Sequence, residues 1–348
     1  MSIIPFRPHI DIRSTERLHA KLKDIRVPIT EILPAADKAY GIPHNWAAAL
    51  FNYWQNTYSW PTAEARINQF EHFTTEIEEI TLHFVHQQAK ETNANPILLI
   101  HGWPGSFYEF SEVIKPLTQG EQGQTFHCVV PSLPGFCFSS APPRKGWTVK
   151  DTARVLDQLM LRLGYTEYAV QAGDWGAMVA RELGATFAQR GYAVLMRTRP
   201  QSLSWMLEDN PIGLMTFIGE KYEEASNPTI HSTPHWLDHI LTTVCLYFHT
   251  RCIGTSALLY YENPRHDQFA AYCGAPENAI KCPFGYTSMR YDTSPNSKRA
   301  AGSTGNLVWY KERDDAGHFA CLEAPRGMVE DVREVVGKFW GWGGEVSS

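Results

Sequence analysis

Tyr168-Ala169-Val170-Gln171-Ala172-Gly173-Asp174-Trp175-Gly176-Ala177 is an apolar run that ends in one carboxylate set between glycines, with helix formers following at once. It reads as a strand turning sharply into a helix. Small residues on both sides of Asp174 suit such a turn, because a strained backbone that holds one side chain clear of a sheet leaves no room for neighbouring Cβ atoms. The pattern is a nucleophile elbow with aspartate where serine is usual. To do chemistry, an aspartate so placed needs a base, an acid to orient that base, and donors for an oxyanion.

Upstream, Pro96-Ile97-Leu98-Leu99-Ile100 is a wholly apolar strand of the kind buried on both faces of a parallel sheet. It runs into His101-Gly102-Trp103-Pro104-Gly105-Ser106, a loop able to present the backbone N–H of Trp103 to a developing oxyanion. Cys128-Val129-Val130-Pro131-Ser132-Leu133-Pro134-Gly135-Phe136 is a second buried strand leaving in a proline loop, and a helix is expected near Val149 to Leu163. Alternating apolar strands and helices predict a doubly wound, mostly parallel sheet with its site at the carboxyl ends of the strands. Before this core, helical spacing marks Asn45 to Trp54 and Ala63 to Phe73, and alternation marks a first strand at Ile80 to Gln87. His83 and His86 lie on that strand and read as structural.

At 348 residues, one large α/β domain with insertions is the natural expectation. Hydrophobic residues at 43% fit a packed enzyme, and a net charge of -6 offers no basic footprint for nucleic acid or an anionic membrane. Seven scattered cysteines without a CxxC spacing favour free thiols in a reducing compartment. No apolar run resembles a signal or an anchor, so a soluble, cytoplasmic protein is expected.

Downstream, Ala279 to Pro283 and Asn306 to Tyr310 read as late strands followed by loops carrying Asp292 and His318, with Met328 to Trp340 a closing helix and Thr293 to Arg299 a polar linker. Glu312, Asp314 and Asp315 compete with Asp292 as the acid, but they are read into the same loop as His318, whereas the acid should arrive from the preceding strand. Read from the residues alone, Tyr192 to Met196 is a candidate strand after a helix capped by Gly191. His231, His235 and His239 recur at four-residue spacing, as in a metal site, but Pro234 interrupts the first interval and Asp238 is the only carboxylate in view. A solvated cap face is the preferred reading there.

These motifs together resemble the α/β-hydrolase-fold epoxide hydrolases, specifically the microsomal and juvenile-hormone type with an N-terminal meander, in a soluble form. The resemblance spans nearly the whole chain: Asn45 to Trp60, Phe70 to His86, His101-Gly102-Trp103-Pro104, Gly173-Asp174-Trp175-Gly176, Gly317-His318-Phe319, and cap stretches around Gly191-Tyr192 and Leu259-Tyr260-Tyr261. It implies a meander and first strand over 1–90, hydrolase core over 91–190 and 276–348, and a helical cap over 191–275. It further implies Asp174 as nucleophile, His318 as base, Asp292 as acid, Tyr192 and Tyr260 as epoxide activators, and the backbone N–H groups of Trp103 and Trp175 as the oxyanion hole. For Tyr192 to Met196 it implies, in place of a strand and to its exclusion, the start of a cap in which Tyr192 faces Asp174.

The implied reaction opens an apolar epoxide through an aspartyl ester to a vicinal diol, with water as the second reactant and no metal or organic cofactor. No nucleic-acid partner or membrane anchor is expected; a homodimer is the assembly to test. The chain departs from the resemblance between Asp174 and Tyr192, which leave room for one helix, so one sheet strand is expected to be missing or replaced. A haloalkane dehalogenase shares the aspartate, histidine and acid, and a catalytically silent binding protein could keep the fold; both remain alternatives.

Overall fold

The computed structural model describes residues 2–28, 32–33, 40–120, 123–185, 200–263, 271–293 and 295–340. A short strand β1 (Ile4–Phe6) and helices α1 (Ile12–Asp24), α2 (His44–Asn56) and α3 (Trp60–Ile67) precede the hairpin β2 (His72–Ile77) and β3 (Ile80–Gln87). Then β4 (Asn95–Ile100), α4 (Ser111–Gln119), β5 (Phe126–Pro131), α5 (Val149–Arg162), β6 (Ala169–Ala172) and α6 (Asp174–Ala185) alternate. Helices α7 (Pro200–Leu207), α8 (Pro211–Glu224), α9 (Pro234–Thr250), α10 (Ile253–Ser256) and α11 (Leu258–Glu262) follow. The described chain closes with β7 (Ile280–Tyr291), α12 (Lys298–Gly302), β8 (Gly305–Gly317), α13 (Ala320–Glu323) and α14 (Pro325–Phe339).

The sheet is mixed rather than mostly parallel. Six strands run in the order β1-β2-β3-β5-β4-β6, and β7 with β8 forms a separate parallel pair. Among the described residues, only β4 with β5 and β4 with β6 are parallel in the larger sheet. Connection length explains the rest. Glu78 and Glu79 form a two-residue turn in left-handed conformation (φ 49° and 67°), which forces β2 and β3 antiparallel. The link from Gln87 to Asn95 is too short for a crossover, so β3 meets β5 antiparallel.

The predicted helix over Ala63 to Phe73 stops at Ile67, and Phe73 lies instead in β2 opposite Phe84. Cross-strand pairing outweighs local helical spacing there. The late strands are longer than read from sequence, because residues that look polar and loop-like in isolation gain ladder partners from Tyr286↔Tyr310 to Tyr291↔Gly317. Part of the Thr293 to Arg299 linker becomes the first turn of α12, capped by Ser297 accepting from Ala300 N–H.

What matters for function is the edge where β4 and β6 end side by side, with Ile100 paired to Ala172. Leu98, Leu99 and Ile100 are fully buried. Helix α6 crosses so close to β4 that a Cβ on Gly176 would lie 2.2 Å from the Ile100 carbonyl oxygen. Glycine is required there by approach, as the elbow reading anticipates.

Candidate active site

Asp174 opens α6 in a left-handed conformation, φ 51°, where an L residue is strained and is retained only when its surroundings over-determine it. The turn aims its carboxylate at the loop after β4. There Trp103 N–H donates to Asp174 Oδ1 at 2.7 Å. Trp175 occupies the first turn of the same helix, where backbone N–H groups have no intrahelical acceptor.

Asp292 and His318 come from beyond β7 and β8. His318 Nδ1 lies 3.1 Å from Asp292 Oδ1, and His318 Nε2 lies 3.5 Å from Asp174 Oδ2. Burial by itself would lower the His318 pKa, but carboxylates at both ring nitrogens override it and hold the imidazolium well above the ordinary range. Burial likewise opposes ionisation of Asp292, and the bond from His318 outweighs it, leaving that carboxyl below its ordinary range. Glu312, Asp314 and Asp315 sit on strand β8 rather than in the His318 loop, and all three are exposed. The ladder with β7 is what turns that stretch into strand.

Tyr260, on α11, packs edge-on against Trp103 and Trp175 with ring centroids 5.3 and 5.0 Å away. Burial, reinforced by the nearby Asp174 charge, raises its pKa and keeps the phenol neutral, able to donate but not to ionise. Trp103 is itself pinned by its indole N–H donating to Ser256 Oγ at 3.2 Å. Tyr192 lies outside the described residues.

Two acidic residues escaped the sequence reading. Glu323 accepts from the backbone N–H groups of Gly317 (3.0 Å), Phe319 (3.1 Å) and Asn227 (2.8 Å), holding the His318 loop against the segment after α8. Glu109 lies in Phe107-Tyr108-Glu109-Phe110, immediately after the Trp103 loop. Its carboxyl presses on Gly105, where an added Cβ would meet Oε1 at 1.7 Å. Burial pushes its pKa up to about 8; the His318 charge opposes this and the Asp174 charge adds to it. A lone acid among buried aromatics was the available signal.

A cavity of about 500 Å³ lies between the N-terminal segment and α8, walled by Phe51, Leu207, Ile212, Met215 and Phe217. Phe217, on its wall, also packs against Trp103, ring centroids 5.6 Å apart.

A strained elbow aspartate next to a histidine–acid pair and a backbone N–H is the constellation expected of a hydrolase of the α/β-hydrolase fold. Residues 3–110 match the family described as "Epoxide hydrolase N terminus", and residues 95–198 match "alpha/beta hydrolase fold". A putative epoxide hydrolase of Stigmatella aurantiaca (strain DW4/3-1) is 31% identical over 95% of this chain and 84% of its own. The structure of Aspergillus niger epoxide hydrolase superposes with a TM-score of 0.85 at 32% identity, covering 98% of this chain and 97% of that one. Juvenile hormone epoxide hydrolase from the silkworm Bombyx mori gives 0.83 at 28% identity, covering 98% and 95%. The chain therefore belongs to the epoxide hydrolases of the microsomal and juvenile-hormone type, and its reaction is the hydrolysis of an epoxide. Among the described residues no helix is long and apolar enough to cross a membrane.

Proposed function

We propose that the chain converts an apolar epoxide to a vicinal diol in two steps carried by Asp174 and His318. In the first, Asp174 Oδ2 attacks one epoxide carbon, the C–O bond breaks, and the alkoxide is stabilised by a hydrogen bond from Tyr260, with Tyr192 as its partner, until it takes up the proton that His318 gives up. The product of that step is an ester on Asp174. Ester formation removes the negative charge beside His318 Nε2, so the imidazolium passes its proton to the alkoxide and becomes a neutral base. In the second, His318, held by Asp292, takes a proton from water. The hydroxide attacks the Asp174 carboxyl carbon, Trp103 and Trp175 N–H groups hold the oxyanion, and the diol leaves as Asp174 regains its carboxylate. Aspartate suits this route because the ester breaks at its own carbonyl, whereas a serine would be left as an ether.

The observation that carries the reading is the continuous line Trp103 N–H, Asp174, His318, Asp292 at 2.7, 3.5 and 3.1 Å. Neutral Glu109 beside His318 suits the role of orienting the attacking water. The aromatic side chains of Phe217, Tyr260 and Trp175 gathered around Trp103 and the elbow support an apolar substrate. A single turnover in ¹⁸O-water tests the reading. Label should enter the Asp174 carboxyl and reach the diol in the next turnover; label entering the diol directly in the first would overturn it.

The division into 1–90, 91–190, 191–275 and 276–348 belongs to the same reading. So does loss or replacement of a strand after the elbow. It is supported by β6 ending the larger sheet with Val170 half-exposed, while β7 and β8 pair apart from it among the described residues. An experimental structure in which residues 186–199 pair along the free edge of β6 as a full-length strand would overturn it. Free thiols at all seven cysteines support a reducing, cytoplasmic location, which localisation of the tagged protein in its own cells checks. Exposed Trp205 and Met206 on α7 support a homodimer, which light scattering decides.

A further inference from the structure

We infer that Glu112, His235 and His239 form a binding site for a zinc-like divalent cation, bridging cap helix α9 and core helix α4 away from the ester chemistry. Helix α9 starts at Pro234, its first turn capped by Thr233 accepting from Trp236 N–H, so proline begins the helix instead of interrupting it. His235 and His239 therefore stand one turn apart on the same face, while His231 precedes the helix and bonds Ser226 Oγ at 2.9 Å. Asp238, the carboxylate that sequence proximity suggested, is committed elsewhere: it accepts from Tyr53 Oη at 3.0 Å and pairs with Arg66 at 2.8 Å. The carboxylate comes instead from Glu112, in the first turn of α4.

The three donors have the chemistry of a two-histidine, one-carboxylate site. Their ligand atoms all lie within 4.8 Å of one another. His239 Nε2 is 3.6 Å from Glu112 Oε1, too long for a good hydrogen bond. In a tetrahedral zinc site with bonds near 2.0–2.2 Å, neighbouring donors stand roughly 3.3–3.6 Å apart. His239 is only 4% exposed, and its Nδ1 has no hydrogen-bond partner among the described residues. A buried imidazole with one nitrogen orphaned and the other facing a carboxylate beyond bonding distance is costly, and a cation on Nε2 would remove part of that cost. Exposed His235 leaves the fourth position open to water.

A cation here would tie the cap to the segment that carries the oxyanion loop. Helix α9 already reaches that loop through Tyr247 Oη, which donates to the Gly105 carbonyl at 2.9 Å. The test uses the untagged full-length chain titrated with Zn²⁺, by calorimetry and by thermal melting. One Zn²⁺ per chain with micromolar affinity is expected, together with a rise in Tm and no comparable response to Mg²⁺. His235→Gln, at an exposed position where folding is not at risk, and Glu112→Gln should each weaken Zn²⁺ binding at least about tenfold and abolish the Tm rise. Unchanged Zn²⁺ affinity in both variants would assign the ion to another donor such as the exposed Cys282 thiol and overturn the site, as would no binding by the wild-type chain.

Discussion

Among the described residues, two sheets contribute the two halves of the candidate site, and they hold their residues by different means. The six-stranded sheet supplies Asp174 through a buried strand pair, a strained backbone and a helix pressed onto the Ile100 carbonyl. The β7–β8 pair supplies Asp292 and His318 from loops held by polar contacts: His318 N–H donates to the Ala225 carbonyl at 2.7 Å, and Glu323 collects the N–H groups on either side of it. Packing fixes the backbone of Asp174, while Trp103 N–H and His318 meet its carboxylate oxygens. A base that must take and release a proton needs groups that respond to charge, so it is held by carboxylates and backbone dipoles.

Breaking the first half should have the largest effect. Asp174→Asn removes the attacking oxygen anion, and diol formation should fall at least about 10⁴-fold with no protein–substrate adduct in the intact mass. His318→Gln strikes the second half: turnover should fall about 10³-fold or more, yet the first half still works. An adduct of protein plus one epoxide should accumulate to near one equivalent, and absence of that adduct would mean the halves are not separable. Asp292→Asn should cost about 10²–10³-fold in hydrolysis of the ester and little in its formation, read by rapid-quench mass spectrometry. Glu312→Gln on the same scale should change nothing.

The smallest effect tests the interface between the halves. Glu109 goes from an ordinary value of 4.5 to about 8 in the folded protein. Between those values the unfolded chain has given up this proton while the folded chain keeps it, so folding stability declines as pH rises through that window. Glu109→Gln cannot titrate. Its Tm should fall less between pH 5 and pH 8 than that of the wild type, by about 2–4 °C, and an equal fall in both would remove Glu109 from its buried, unpaired setting.

Much of this architecture is legible in short stretches of chain. The elbow, the Trp103 loop and the closing helix each lie where local patterning puts them. Spacing misleads where a distant partner competes. Phe73 satisfies a helical pattern, but β3 offers it a cross-strand aromatic partner, Phe84, with ring centroids 5.8 Å away. Glu312, Asp314 and Asp315 look like loop acids until β7 makes their backbone a strand. Glu109 and Glu323 carry no motif, and their significance comes from what surrounds them.

Sequence alone determined the kind of chemistry: an aspartate among small residues at a strand-to-helix turn, then an acid, then a histidine, because residue type and chain order are local and one-dimensional facts. Tertiary structure decided which carboxylate meets which imidazole. Asp292 rather than its three rivals reaches His318, and Glu112 rather than Asp238 joins His235 and His239. Those choices depend on separations of a few ångströms between residues 26 to well over 100 positions apart, which only the packing of sheets and helices sets.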